Sequence, residues 1–356
     1  MVTSGREYFG NWTIPHAWTK SGSVGRPLAP GIADKQKRAK IERMLRWLVV
    51  GLGDIATRRV IPAILEEPRS SLAGIVTRNA AKAVPVGTRA FSSLDEALSD
   101  GAFDAVYVAT PVFLHGPQTM QALRTGAHVL CEKPMAMCLC EAQLMVEVAA
   151  QHGRTLGVAY YRRTYPKVHR AMELIQEGVI GQPVMAFASC HGQVPADQTR
   201  RSWLLDPAQA GGGPVYDIGS HRIDLLNYLF GTPHEVRACL SNAVHRIPVE
   251  DSATVLIKYP HGLHGVVDVR WNSHTVRDEF RIIGTDSEID LTPLNGPGLV
   301  SRRGREDLPA HPNPHYPCIK DFVDAVLEGK PPLSSGATAV WTDWVTEKAL
   351  ASNVQK

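Results

Sequence analysis

Between Leu45 and Ala56 an apolar run, Leu-Arg-Trp-Leu-Val-Val, is halted by Gly51-Leu52-Gly53-Asp54-Ile55-Ala56. No other stretch narrows the possible folds as much. The run reads as one buried parallel strand, and the apolar-periodic segment from Ile55 reads as a helix. Gly51 can take the backbone angles of so tight a turn. Gly53 lets the main chain approach a pyrophosphate with no Cβ in the way, and Ala56 lets the helix pack close to its strand. The helix N-terminus then offers unpaired N–H groups and a partial positive charge to phosphates. Alone, G-x-G-x-x-A suits a turn that holds no nucleotide just as well, so its surroundings decide.

Those surroundings alternate. Strand-like runs at 72–76, 105–111, 128–134 and 156–161 are separated by helical segments at 55–65, 118–124 and 141–150. A further helix opens at Ser92-Ser93-Leu94-Asp95-Glu96, a serine cap with an acidic first turn. Such alternation predicts a parallel, doubly wound sheet over residues 45–165, in which the glycine turn becomes a dinucleotide site. Past Tyr165 the pattern changes. Helices at 168–176 and 215–230 and a strand at 183–190 lead to period-2 runs at 236–240, 253–257, 266–271 and 280–283. Leu263, Val267, Val269 and Trp271 share one face, and His264, Asp268 and Arg270 the other. That predicts a one-sided antiparallel sheet in a second, α+β domain over residues 166–356, finished by helices at 319–327 and 337–350. The fold class is therefore α/β.

With 356 residues the chain can form two cores, and its +3 net charge is too small for a nucleic-acid surface. No apolar run is long enough to span a membrane. Cys138 and Cys140 form C-x-C with no second pair, so zinc is not expected, and all six cysteines read as reduced thiols of a cytoplasmic protein. Residues 1–44 lack both periodicities and read as an extension that is disordered or foreign to the native chain, with Met44 a candidate start.

Three places carry chemistry. At the end of the second strand Thr77 and Arg78, with Lys82 nearby, stand where an NAD site has an acid; a hydroxyl and a guanidinium suit the 2′-phosphate of NADP, with NAD still possible. Arg78 as an ordinary surface residue is the plain alternative. Lys133, in Cys131-Glu132-Lys133-Pro134, lies at the carboxyl edge of a parallel strand, where it can stabilise an alkoxide or simply face solvent. Asp217 and His221 stand four apart, on one face of a helix. The imidazole can take a hydroxyl proton while the carboxylate orients it, or the two form a helix-stabilising pair.

Taken together, these residues resemble the glucose–fructose oxidoreductase/inositol dehydrogenase family, also called Gfo/Idh/MocA. The resemblance runs from about residue 45 to residue 350 through Ala109-Thr110-Pro111 with His115, Glu132-Lys133-Pro134, Trp203-Leu204-Leu205-Asp206-Pro207, Gly211-Gly212-Gly213, Asp217 to Asp224, and Val249-Glu250-Asp251-Ser252-Ala253. It implies a Rossmann domain followed by a domain whose open, mostly antiparallel sheet binds substrate and joins subunits into a homodimer or homotetramer. Gly51, Gly53, Asp54, Ile55, Thr110, Pro111, His115 and Glu132 are then expected at the cofactor and Lys133 near its nicotinamide. Tyr161, Arg163 and Trp203 are expected to shape the substrate pocket with Asp217 and His221. The Tyr160–Pro166 stretch looks most like the sugar and dihydrodiol dehydrogenases, whereas His221 is more like the inositol dehydrogenases. Residues 79–91 depart from the family by being short and containing Pro85. The expected activity is oxidation of a sugar or cyclic polyol with a nicotinamide cofactor. A regulator that binds dinucleotide without catalysis is the alternative, and Lys133, Asp217 and His221 together speak against it.

Overall fold

The computed structural model describes residues 44–79, 86–101, 103–194 and 202–352. The expectations for Lys82 and Pro85, and all but Met44 of the extension, lie outside the described residues.

The apolar run at Leu45–Val50 becomes β1, buried except at Arg46. It pairs in parallel with β2 (Ser70–Val76) on one side and with β4 (Ala105–Val108) on the other. With β3 (Ala90–Phe91), β5 (His128–Cys131) and β6 (Leu156–Val158) the sheet order is β3-β2-β1-β4-β5-β6, all parallel. The direction of winding reverses at β1, the switch point beside which such sheets hold ligands at their carboxyl ends. Gly51 stands there with φ +94°, its N–H donating to the Val76 carbonyl at 3.0 Å. A Cβ at this position would lie 2.8 Å from the Ala109 carbonyl oxygen, so the ends of three adjacent strands close on a residue without one.

The helix expected at 55–65 is a π turn, Ala56–Val60, followed by an α-helix, Ile61–Glu66. Pro62 supplies the reason, because it cannot donate to the preceding turn and crowds the carbonyl four residues back. The serine cap forms as expected: Ser93 Oγ accepts from the Glu96 N–H, and the Glu96 carboxylate accepts from Ser92.

The second sheet has the order β14-β13-β12-β11-β7-β10-β9-β8, built from β7 (Pro183–Gln193), β8 (Glu235–Ser241), β9 (Ser252–Lys258), β10 (His264–Arg270), β11 (Asn272–Gly284), β12 (Glu288–Asp290), β13 (Gly298–Ser301) and β14 (Gly304–Asp307). Only β7 and β10 run parallel. Ala253, Val255 and Ile257, with Val267 and Val269 on the next strand, pack under the helices Pro166–Gln176 and Ser220–Phe230. Thr254, Leu256 and Lys258 face away from that core. The last two helices, His315–Glu328 and Gly336–Ser352, return to the first sheet, with Phe322 5.4 Å from Trp47 between ring centres and Ala339 in the core of β4, β5 and β6. No described helix is long and apolar enough to cross a membrane. Cys138 and Cys140, expected as thiols, are joined as a disulfide, their Cα atoms 5.5 Å apart and within disulfide span.

Candidate active site

Beyond β5 the chain continues through Glu132-Lys133-Pro134 at the carboxyl edge of the sheet. The Lys133 ammonium donates to Asp217 twice, to Oδ1 and to the backbone carbonyl, both at 2.9 Å. Asp217 sits in a π turn, Val215–Gly219, that runs into the Ser220–Phe230 helix. This corrects the expected Asp217–His221 pairing. Spacing of i, i+4 aligns side chains on an α-helix with 3.6 residues per turn, and the wider turn breaks that alignment. The carboxylate is engaged by Lys133, and His221 Nδ1 has no partner among the described residues.

His221 is buried, its ring edge-on to Tyr160 at 5.9 Å and to Tyr161 at 5.1 Å. Burial, and then the charges of Arg162, Lys133, Arg222 and His315, hold its pKa well below the ordinary histidine value. The imidazole is therefore neutral near pH 7 and able to accept a proton.

Tyr161, on the one-turn helix Tyr161–Thr164, is in ring contact with two imidazoles, His221 and also His315, 4.8 Å away. The Arg162 guanidinium stands 4.9 Å over its ring. Arg163 points elsewhere, which corrects its assignment to the pocket. It is fully buried and forms a bidentate pair with Asp224 at 2.6 and 2.9 Å, and it also donates to the Leu333 carbonyl and Thr338 Oγ1. Burial pushes the Asp224 carboxyl up, the guanidinium opposes this, and the two-point geometry keeps the pair ionised.

Two residues expected at the cofactor are engaged by the protein itself. His115 spans two loops, with Nδ1 2.8 Å from the Pro134 carbonyl and Nε2 2.8 Å from the Thr110 carbonyl. Burial lowers its pKa despite both carbonyls. It braces the strand ends rather than projecting from them. Glu132 turns inward, accepting from Tyr107 Oη at 2.7 Å and facing His315 Nε2 at 3.2 Å. Burial works to raise its pKa, but His315, Tyr107 and Lys133 outweigh that and hold it low.

Asp54 and Ile55 are exposed at the start of the first helix. Pro111 opens the turn that leads to His115, and Thr110 Oγ1 is spent on Gln118. Thr77 Oγ1 accepts from the Asn79 N–H, and Arg78 is exposed beside it at the end of β2. Trp203 is half-buried on Ser202–Leu205, and no hydrogen bond or ring contact joins it to Lys133 or His221 among the described residues. His315, Arg162, Arg222 and Asn295 were not singled out from the sequence. Only the Arg162-Arg163 doublet offered a signal, since neighbours on a tight turn point opposite ways.

Residues 45–160 match the model of the oxidoreductase family with NAD-binding Rossmann fold, and residues 168–290 match the GFO/IDH/MocA C-terminal domain. The chain belongs to the GFO/IDH/MocA family. It is an NAD(P)-binding oxidoreductase of that family. It is 31% identical to a 1,5-anhydro-D-fructose reductase of Ensifer adhaerens over 84% of this chain and 93% of that one. It is 28% identical to a D-xylose 1-dehydrogenase (NADP(+)) of Haloarcula marismortui over 73% and 75%. The aldose-aldose oxidoreductase of Caulobacter crescentus, solved with glycerol, superposes with a TM-score of 0.80 at 25% identity over 88% of this chain and 98% of that one.

The buried pair makes a direct prediction. Arg163→Met strands Asp224 in the core and should lower unfolding stability by about 3–5 kcal/mol. Denaturant unfolding checks this; a variant that unfolds like wild type and only raises KM would return Arg163 to the pocket.

Proposed function

We propose that the protein reversibly oxidises a secondary or hemiacetal hydroxyl of a sugar or cyclic polyol, with NADP as the favoured cofactor. The observation that carries this reading is the convergence of an ammonium held by a carboxylate, Lys133 on Asp217, with a buried neutral imidazole, His221, at the carboxyl edge of a parallel sheet. The names of the reductase and dehydrogenase relatives support a sugar substrate.

The residues fit a dinucleotide. A Cβ at Gly53 would meet nothing within 4 Å, so the turn presents open main chain at the start of a helix. Gly51, Gly53, Asp54 and Ile55 would hold the phosphates, Thr77 and Arg78 the ribose 2′-phosphate, and Lys133 the nicotinamide end. When bound, the nicotinamide supplies the hydride acceptor. His221 takes the hydroxyl proton, and Lys133, oriented by Asp217, stabilises the negative charge that develops on the oxygen. Asp217 thus acts through the lysine. We further propose a homodimer or homotetramer joined through the open face of the second sheet, where Leu256, Val266 and Phe187 lie side by side; a monomeric mass in solution by light scattering would exclude it.

Lys133→Ala and His221→Ala should each lower kcat by about 10²–10⁴-fold with folding retained; near-wild-type turnover in both would remove the assignment. The pH profile gives a further check. The base works when deprotonated and its folded pKa is depressed, so activity in oxidation should persist as pH falls through 6.5, with the acid limb well below it. A limb near 6.5 that disappears in His221→Ala would overturn this. Arg78→Asp should lower the NADP-to-NAD ratio of kcat/KM by at least roughly tenfold, the effect of one lost charge-assisted bond; an unchanged ratio would leave no basis for NADP preference.

A further inference from the structure

Among the described residues at the site, Arg162 and Arg222 stand out by how their donors are used. Lys133 is matched by Asp217, Arg163 by Asp224, and Arg222 by Asp278 at 2.8 Å. Arg162 has no carboxylate partner among the described residues. Its Nε and Nη2 both donate to the neutral Asn295 Oδ1, at 3.2 and 3.0 Å, and Nη1 is buried without any partner. Arg222 spends Nη1 on the Ile218 carbonyl and Nη2 on Asp278, and its Nε is likewise buried and unpartnered. Their side chains are almost wholly enclosed, at 7% and 2% exposure.

The carboxylate nearby cannot serve both. Asp278 gives one oxygen to Arg222 and the other to the Asn295 backbone and side-chain N–H groups, so Arg162 reaches it only through Asn295. Among the described residues, two guanidiniums against one carboxylate leave one positive charge uncompensated. A buried cation without a counter-ion is costly, and the cost falls when an anion arrives. Asn295, which takes two of the Arg162 donors, is itself exposed. The uncompensated charge lies close to the reacting group: the Arg162 guanidinium and the His221 ring flank the same Tyr161 ring, at 4.9 and 5.1 Å, and Arg222 adjoins His221 on the helix. Both arginines depress the His221 pKa, which places their charges at the imidazole.

We propose that Arg162 and Arg222 form an anion-recognising subsite, so that the substrate is a sugar carrying a carboxylate, a uronate or aldonate rather than a neutral sugar. This rests on the dehydrogenase reading above. A single uncompensated charge matches a monoanion, and two unpartnered guanidinium nitrogens can each donate to an oxygen of a carboxylate. A phosphate dianion would reverse the excess instead of cancelling it. The hydroxyl to be oxidised then lies toward His221 and Lys133, with the carboxylate toward Arg162.

The test uses the full chain with NADP and matched probes: D-glucose with D-glucuronate, D-galactose with D-galacturonate, and D-glucose 6-phosphate. Uronates should exceed their neutral partners at least tenfold in kcat/KM. Arg162→Met should cut that ratio by about 10–100-fold, the range for a hydrogen bond to a charged group, and Arg162→Lys should restore part of it. The proposal is overturned if neutral sugars match the uronates in wild type, if Arg162→Met lowers both members of a pair equally, or if glucose 6-phosphate is preferred to glucuronate. Should Arg162→Met fail to fold, the wild-type preference and the Arg162→Lys ratio decide. Thermal shift in the presence of the cofactor separates this from the reaction itself. Uronates that raise the melting temperature of wild type but not of the Arg162 variants, with no turnover, would uphold the subsite and remove the dehydrogenase reading.

Discussion

The bidentate pair of Arg163 and Asp224 holds the site in one shape. It ties the turn after β6 to the Ser220–Phe230 helix, and the same guanidinium reaches the Leu333 carbonyl and Thr338 at the start of the last helix. His221 lies on the helix that Asp224 anchors; Tyr161 and Arg162 lie on the turn that Arg163 anchors. Neither group could be held against the other by surface contacts alone, because a planar guanidinium with all three of its nitrogens hydrogen-bonded permits little rotation.

Around that joint the electrostatics divide into filled and unfilled positions. Lys133, Asp217, Glu132 and His315 are matched, which keeps the strand end rigid without shifting charge into solvent. His221 is left neutral by burial among cations, the state a proton acceptor requires. The Lys133 ammonium is paired with the Asp217 carboxylate at 2.9 Å.

Much of this could be read from residue order. The run ending at Gly51 and the strand–helix alternation up to residue 165 specify a doubly wound sheet, since each strand must be covered on both faces. The one-sided alternation around Val267 and Val269 specifies the second sheet. Lys133 and His221 were also visible, one as a lysine at a strand's carboxyl edge and the other as a histidine in a helical run. Helix geometry misled only at Asp217, where a π turn replaces the expected α turn, and at the helix entered through Pro62.

What residue order could not supply was direction and distance. Arg162 and Arg163 are adjacent and chemically identical, yet one is consumed by Asp224 and the other opens onto Tyr161 and Asn295. His115 and Glu132 sit in the expected loops but face inward, because buried carbonyls and the Tyr107 hydroxyl claim them first. His315 reaches the site from a helix that only the return of the chain to the first sheet brings near. Local sequence determined the elements and the chemistry available at their ends. Tertiary packing decided which charges were cancelled and which were left without a counter-charge, because charge pairing depends on separation in space and not along the chain.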